Sequence, residues 1–175
     1  MPYKKKVKEV MIPVQDYPHI PEWFSLRQAV AIVRESAIKF AGVFEPRAVL
    51  VFDEKHQLVG ILTLRDILKG LEPGFLKESE LIKTDPSFVF DKGELFGPGM
   101  KSQADKLVGE FMGPIQATVQ ADDFLVKALS LMVYENVGMM PVMEDDRVLG
   151  MVRLTDLFLE VSQAILEKIS DGELA

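Results

Sequence analysis

Residues 7–15 read VKEVMIPVQ, and residues 108–116 read VGEFMGPIQ. The two segments share Val, Glu, Met, Pro and Gln at five corresponding positions. A second pair of related segments follows in the same order, LVGILTLRD at residues 58–66 and VLGMVRLTD at residues 148–156. Because internal repetition of this kind is the signature of duplicated structural units, the chain is predicted to contain two copies of one unit.

Each copy has the hydrophobic pattern of a strand, a helix, two further strands and a closing helix. Apolar residues recur at helical spacing after each opening segment, and two short apolar runs joined by a polar turn then indicate a hairpin. The predicted elements are helices around 26–33 and 125–132, hairpins at 48–62 and 139–152, and closing helices at 64–70 and 154–170. The predicted fold class is therefore α/β, of the α+β kind, with two β-α-β-β-α units.

Polar residues precede several of these helices. Ser25 is a predicted N-cap of the first helix, and Asp122 or Asp123 is the predicted N-cap of its counterpart in the second copy. Thr63 and Asp66 have the three-residue spacing of a capping box at the first closing helix. These assignments set the expected starts of the helices.

The two copies suggest three parts of the chain. Residues 1–70 form the first unit and residues 107–175 the second, which ends in a long helix. Residues 71–106 lie between them and carry nine large apolar side chains between residues 75 and 96 alone, more than a solvated linker would need. This insert is predicted to be mostly ordered.

Composition argues against several classes of protein. The 20 basic and 27 acidic residues leave a formal charge of -7, which provides no broad positive surface for nucleic acid. No signal peptide and no stretch of about 18 apolar residues is present, which argues against membrane insertion. The chain has no cysteine, which suits a reducing compartment. We expect a cytoplasmic protein.

Catalytic constellations are missing from the sequence. There is no G-x-S-x-G elbow, no P-loop and no G-x-G-x-x-G fingerprint. The two histidines, His19 and His56, lack the spacing of metal ligands. We predict neither catalytic nor metal-binding residues, and we expect a protein that is not an enzyme.

The repeated patterns h-x-x-h-M-x-P and G-h-h-[S/T]-x-x-D resemble those of the tandem CBS-domain family, also called the Bateman module. The resemblance covers nearly the whole chain outside residues 71–106. It implies two units packed with pseudo-twofold symmetry, a homodimer, and clefts that bind AMP, ADP, ATP or S-adenosylmethionine. The expected function is that of a stand-alone regulatory module that controls another protein of unknown identity.

In the first copy, the resemblance implies that Thr63 and Asp66 contact the ligand. A carboxylate can accept two hydrogen bonds, so Asp66 suits a ribose diol, while the Thr63 hydroxyl can bind the ribose or a phosphate. Capping and ligand binding are compatible roles for this pair. By position, the residues expected around adenine are Val14, Gln15, Val49 and Ile61.

The second copy departs from the pattern, because Arg153 replaces the threonine while Asp156 is kept. Arg153 could bind a phosphate or fill the cleft, and we rank the Thr63 and Asp66 cleft ahead of this one. The residues expected around adenine in this copy are Ile115, Gln116, Met140 and Met151. The alternative function is a ligand-free dimerisation or scaffold module whose clefts are filled by side chains.

Overall fold

The computed structural model describes residues 4–39, 48–71 and 98–170. They form two compact units. The central unit contains the described residues from 18 to 114, and the terminal unit contains those up to 17 together with those from 115 onward. The domain limits predicted from the repeats remain predictions, and residues 72–97 of the predicted insert lie outside the described residues.

The predicted hairpins and helices of both copies are confirmed, and so is the α+β fold class. The strands are β1 (Ile12–Pro13), β2 (His19–Pro21), β3 (Ala48–Phe52), β4 (Leu58–Thr63), β5 (Val119–Gln120), β6 (Met139–Glu144) and β7 (Arg147–Arg153). The helices are α1 (Leu26–Lys39), α2 (Leu64–Leu71), α3 (Pro98–Gln103), α4 (Leu125–Glu135) and α5 (Leu154–Ser170). None of the helices within the described ranges is long and apolar enough to cross a membrane.

The terminal unit is built on a sheet in the order β1-β7-β6-β5. Strands β6 and β7 form an antiparallel hairpin, β5 pairs parallel to β6, and β1 pairs antiparallel to β7. One face of α4 supplies Leu125, Ala128 and Met132 to the buried core. Their i, i+3 and i+7 spacing places them on one side of the helix, which is why this helix packs on the sheet.

The central unit has a sheet in the order β2-β3-β4. Strand β3 is buried along most of its length because it lies between its parallel partner β2 and its antiparallel partner β4. Leu26 and Ala29 of α1 and Ile67 of α2 join the same apolar core. The hairpin and the two helices of the first copy therefore pack together as the sequence predicts.

The opening segment of each copy packs with the body of the other copy. Val7 is fully buried in the core that contains α4 and the β6-β7 hairpin, and its amide donates to Asp123 O at 2.9 Å. Val108 is fully buried in the core of the central unit, and its amide donates to Phe24 O at 2.7 Å. Each compact unit thus combines parts of both copies.

Two repeated glycines permit this arrangement. Gly150 of β7 lies opposite Pro13 of β1, and a Cβ on Gly150 would lie 2.2 Å from Ile12 O. A Cβ on Gly60 of β4 would lie 2.9 Å from Gly113 O. The glycine that opens the second motif is therefore needed for close approach of a neighbouring backbone.

The helix starts agree only in part with the predicted caps. Ser25 caps α1 as predicted, since its hydroxyl accepts from Gln28 N at 3.3 Å and Gln28 Oε1 accepts from Ser25 N at 2.8 Å. The prediction for α4 is wrong, because its N-cap is Phe124, without a side-chain cap. Asp123 instead accepts from Gln120 N at 3.0 Å, and Asp122 forms ion pairs with two lysines. These local partners remove both carboxylates from the capping role.

Candidate functional site

Thr63 and Asp66 form a reciprocal capping box where β4 meets α2. Asp66 Oδ2 accepts hydrogen bonds from Thr63 N at 2.8 Å and from the Thr63 hydroxyl at 2.7 Å. The Asp66 amide in turn donates to Thr63 Oγ1 at 3.1 Å. The predicted capping role of this pair is confirmed.

Within the described residues, the same geometry uses only one oxygen of the Asp66 carboxylate. The interactions of this side chain within the described residues all reach Oδ2, and no donor from those residues reaches Oδ1. A carboxylate oxygen at the first turn of a helix also lies near unpaired backbone amides. The pair therefore combines a fixed orientation with hydrogen-bonding capacity for a further group.

Arg153 and Asp156 occupy the equivalent positions where β7 meets α5. Asp156 Oδ2 accepts from Arg153 N at 3.1 Å and from Arg153 Nε at 2.9 Å, while Oδ1 accepts from Arg153 Nη2 at 2.5 Å. The two side chains are only 11% and 12% exposed. Both carboxylate oxygens are thus engaged by one guanidinium group.

This difference follows from the chemistry of the two residues. A threonine hydroxyl can donate and accept, so it completes a capping box with one carboxylate oxygen. An arginine side chain has donors but no acceptor, and its planar fork matches both oxygens of a carboxylate. The equivalent carboxylates of the two copies therefore differ in their hydrogen bonds: Thr63 bonds to one oxygen of Asp66, and Arg153 bonds to both oxygens of Asp156.

Val14 and Gln15 were predicted to accompany Thr63, but they belong to the terminal unit. They lie in a 3₁₀ turn, Val14–Asp16, which directly follows β1 and lies against β7. Strand β7 ends at Arg153. The structure therefore brings these two residues to the strand that carries the altered motif, and it does not bring them together with Thr63 in one compact unit.

Tyr17 is a neighbour of the altered motif that the sequence did not single out. It is 4% exposed, and its hydroxyl donates to Met139 Sδ at 3.8 Å. Burial raises the pKa of Tyr17 to about 12, while Arg153 lowers this pKa and Asp156 raises it. Because the corresponding residue of the second copy is Thr118, the repeat contained no signal for this tyrosine.

Three predicted adenine contacts are fully buried apolar side chains. Val49 belongs to the core of the central unit, Met140 belongs to the core of the terminal unit, and Met151 is likewise inaccessible to solvent. A core position is the ordinary place for such residues. Their proposed contact with a ligand remains a prediction.

The remaining predicted contacts lie nearer the surface. Ile61 is half-buried, and its amide and carbonyl are both hydrogen-bonded to Gly113, at 3.1 Å and 2.8 Å. Its backbone therefore has its hydrogen bonds within the protein. Ile115 is half-buried and Gln116 is exposed, and both belong to the terminal unit.

The arrangement of two repeated hairpin-to-helix motifs agrees with a family comparison. The model of the CBS domain matches the chain twice, over residues 7–73 and 108–163. The chain belongs to the CBS-domain family. Its two CBS matches cover the two copies that the repeated motifs define, which confirms the tandem organisation.

Solved CBS structures have the same fold. A CBS-domain protein of unknown function from Kribbella flavida gives a TM-score of 0.69 at 16% identity, over 90% of this chain and 98% of that one. CBSX2 in complex with AMP gives 0.60 at 21% identity, over 93% and 98%. The cytosolic domain of the Mg²⁺ channel MgtE in complex with ATP gives 0.60 at 22% identity, over 90% and 49%. No curated protein matches the sequence closely enough to count as a relative.

Proposed function

We propose that this tandem CBS protein is a regulatory module that binds an adenine nucleotide, in the class of AMP, ADP, ATP or S-adenosylmethionine, through Thr63 and Asp66. The module acts by binding and not by catalysis. We place it in the cytoplasm, in keeping with a chain that contains no cysteine.

The observation that carries this proposal is that the two oxygens of the Asp66 carboxylate have different hydrogen bonds. Oδ2 is held by Thr63, which orients the group, and Oδ1 receives no donor from the described residues. A ribose diol supplies hydroxyl donors that this oxygen can accept. Thr63 and Asp66 thus provide a rigid acceptor at the start of α2, where backbone amides also favour negative charge.

Solved structures support the choice of ligand class. CBSX2 was crystallised in complex with AMP, and the cytosolic domain of MgtE in complex with ATP. Both ligands share adenine and ribose and differ in the number of phosphates. An acceptor that binds the ribose hydroxyls would bind AMP and ATP equally well. Any preference between the two nucleotides would then come from the groups that bind the phosphates.

Regulation follows from binding if one conformation of the module has the higher affinity. A nucleotide then increases the population of that conformation by an amount set by its differential affinity. A partner protein that distinguishes the two conformations reads the nucleotide concentration. This mechanism requires no covalent chemistry.

Calorimetric titration of the wild type and of Asp66→Asn with AMP and ATP tests the proposal. The asparagine amide oxygen can still accept from Thr63, but its NH₂ group puts donors where Oδ1 accepts. Losing one charge-assisted hydrogen bond should weaken binding by about 10- to 100-fold. Glu54→Gln is the matched control, because it removes the same charge from an exposed turn of the same unit.

Two results would contradict the proposal. The first is the absence of binding of AMP, ADP, ATP and S-adenosylmethionine to the wild type at millimolar concentration. The second is equal affinity of Asp66→Asn and the wild type. Weaker binding by Glu54→Gln would show that the general charge of the unit, and not Oδ1 of Asp66, determines affinity.

The second candidate function is a ligand-free dimerisation or scaffold module, and α5 favours it. Phe158 and Ile165 lie seven residues apart, as do Leu159 and Leu166, and all four are exposed, Phe158 at 67%. Seven-residue spacing places each pair on one stripe of the helix, as in helices that pack against a partner helix. The proposed occupant of this face is α5 of a second copy, in a homodimer.

Sedimentation without nucleotide tests the dimer. The wild type should sediment as a dimer, and Phe158→Glu should shift it toward the monomer because a buried carboxylate would remain unpaired. Gln163→Glu, an exposed position on the same helix that lies outside the face formed by the two stripes, is the control. A monomeric wild type at all concentrations up to the millimolar range would rule out this candidate.

A further inference from the structure

The two CBS copies of this chain offer an internal comparison at one position. Thr63 leaves one oxygen of Asp66 without a donor from the described residues, whereas Arg153 engages both oxygens of Asp156. The two motifs share one backbone contact, because each carboxylate accepts from the amide three residues before it, at 2.8 Å and 3.1 Å. The side chain at the start of the helix differs between the copies, and it is the side chain that bonds to the carboxylate.

The Arg153 and Asp156 pair is well suited to resist a competing ligand. Its two side-chain bonds are short, at 2.9 Å and 2.5 Å, and bidentate, with one guanidinium group bonded to both oxygens. Both groups are almost nine-tenths buried. A ligand that displaced the guanidinium would have to compensate for a charge left without its partner away from solvent.

We propose that Arg153 is a specificity-determining residue that prevents Asp156 from binding a ribose diol, so that the chain binds one nucleotide, through Asp66. The inference deepens the proposed function and rests on it for the ligand class. According to this inference, the two CBS copies differ in nucleotide binding because the Arg153 side chain occupies the hydrogen-bonding capacity of Asp156. Without Arg153, that carboxylate could accept from the ribose hydroxyls.

The surroundings of Arg153 support this role. Tyr17 is buried and lies close enough to Arg153 and Asp156 to be influenced by both charges. Its hydroxyl donates to Met139 Sδ at 3.8 Å, on the strand paired with β7. Met139 is also the residue paired with Arg153 in the β6-β7 hairpin, and a bidentate bond beside an apolar side chain is stronger than it would be in water.

The test is the number of nucleotides bound per chain, measured by calorimetric titration with AMP and ATP. Arg153→Thr gives the second copy the same T-x-x-D motif as the first, in which the new hydroxyl can cap α5 through one oxygen of Asp156. We expect one bound nucleotide in the wild type and two in Arg153→Thr, with affinities within about tenfold of each other.

Two further variants make the assignment specific. Arg147→Thr is the matched control, because Arg147 lies on the same strand, pairs with Glu144 and is exposed. It should still bind one nucleotide. Adding Asp156→Asn to Arg153→Thr should return the number from two to one, because the new site requires the freed carboxylate.

The reciprocal substitution tests the same idea if Arg153→Thr does not fold. Thr63→Arg should engage both oxygens of Asp66 and abolish binding by the wild-type site, while Thr63→Ser, which keeps the hydroxyl, should bind normally. Retained binding by Thr63→Arg would overturn the inference.

The outcomes separate this inference from the proposed function. One nucleotide in both the wild type and Arg153→Thr leaves the proposed function intact and overturns the inference, as does weaker binding by Arg153→Thr, which would make Arg153 a phosphate ligand. Two nucleotides in the wild type also overturn it. No nucleotide in the wild type but one in Arg153→Thr would uphold the role of Arg153 at Asp156 and refute binding through Asp66, and none in either refutes both.

Discussion

Replacing Gly150 by alanine should destabilise the protein more than the same substitution at Gly60 or Gly138. The added Cβ would lie 2.2 Å from Ile12 O and 3.0 Å from Ile12 C, against an ordinary contact of 3.4 Å or more. The nearest atoms belong to the backbone and cannot rotate away. Strand β1 must therefore move by more than 1 Å relative to β7.

Two routes give the same magnitude for this change. Overpacking of a well-packed interior costs up to about 3 kcal/mol. If the whole opening segment instead separates from the terminal unit, the fully buried Val7 loses its burial, which is worth about 1.5 to 3 kcal/mol. We expect a loss of about 3 kcal/mol in the free energy of unfolding, or a melting temperature lower by about 6 to 12 °C for a chain of this size.

Two other glycines provide graded controls. A Cβ on Gly60 would lie 2.6 Å from Met112 Sδ and 2.9 Å from Gly113 O, so a flexible side chain takes up part of the strain and the backbone a smaller part. Gly60→Ala should cost about 1 to 2 kcal/mol. A Cβ on Gly138 would meet nothing within 4 Å, and Gly138→Ala should change stability by less than about 0.5 kcal/mol.

Urea unfolding followed by circular dichroism measures all three variants on one scale. The expected order of destabilisation is Gly150→Ala, then Gly60→Ala, then Gly138→Ala. A loss below about 0.5 kcal/mol for Gly150→Ala would refute the close packing of β1 on β7. Equal losses for Gly150→Ala and Gly138→Ala would attribute the effect to the glycine backbone and not to the contact with Ile12.

Two predictions concern pH. Hydrogen bonds and charge from Lys6 and Lys8 lower the pKa of Asp122 from 3.8 to about 2, so its contribution to stability is present above pH 3.8 and is lost as the pH falls toward 2. An NMR titration of the Asp122 carboxyl carbon should show this pKa, and Lys6→Met should raise it; a midpoint near 4 in the wild type would contradict the ion pairs. Burial raises the pKa of Tyr17 from 10.0 to about 12, so the corresponding stability is present below pH 10 and is lost as the pH rises toward 12. Ultraviolet titration should show one tyrosine that ionises at high pH, and this component should be missing in Tyr17→Phe. If the titration curve of Tyr17→Phe still contained that component, Tyr17 would not be the buried tyrosine.

The elements of this protein could be predicted from the sequence because they depend on local patterns. Alternation of apolar residues indicated the β3-β4 and β6-β7 hairpins, and the three-residue spacing of Thr63 and Asp66 indicated a capping box. The prediction for α4 was wrong where a local signal had competitors: two aspartates precede that helix, and other partners engage both of them. A capping signal decides a helix start only when the side chain has no better partner.

The sequence indicated the two motif pairs, but it could not indicate what surrounds Val14 and Gln15. Thr63 with Asp66, and Arg153 with Asp156, form the pairs that the repeat indicates, because their members lie within one turn of a helix. Val14 and Gln15 were assigned to the first copy because they follow its opening motif in sequence. They lie against β7 of the second copy, which no local pattern could reveal, and their contact with a ligand remains a prediction.

The sequence by itself determined that the chain has two CBS copies, where their strands and helices fall, and that one copy lacks the threonine of the motif. These properties follow from periodicity, hydrogen-bonding capacity and side-chain chemistry, which act over a few residues. Only the tertiary structure decided that each opening segment completes the core of the unit containing the other copy's hairpin. An opening segment with this pattern can pair with either hairpin, since Gly60 and Gly150 both accept a passing backbone, and the choice depends on contacts far apart in the chain.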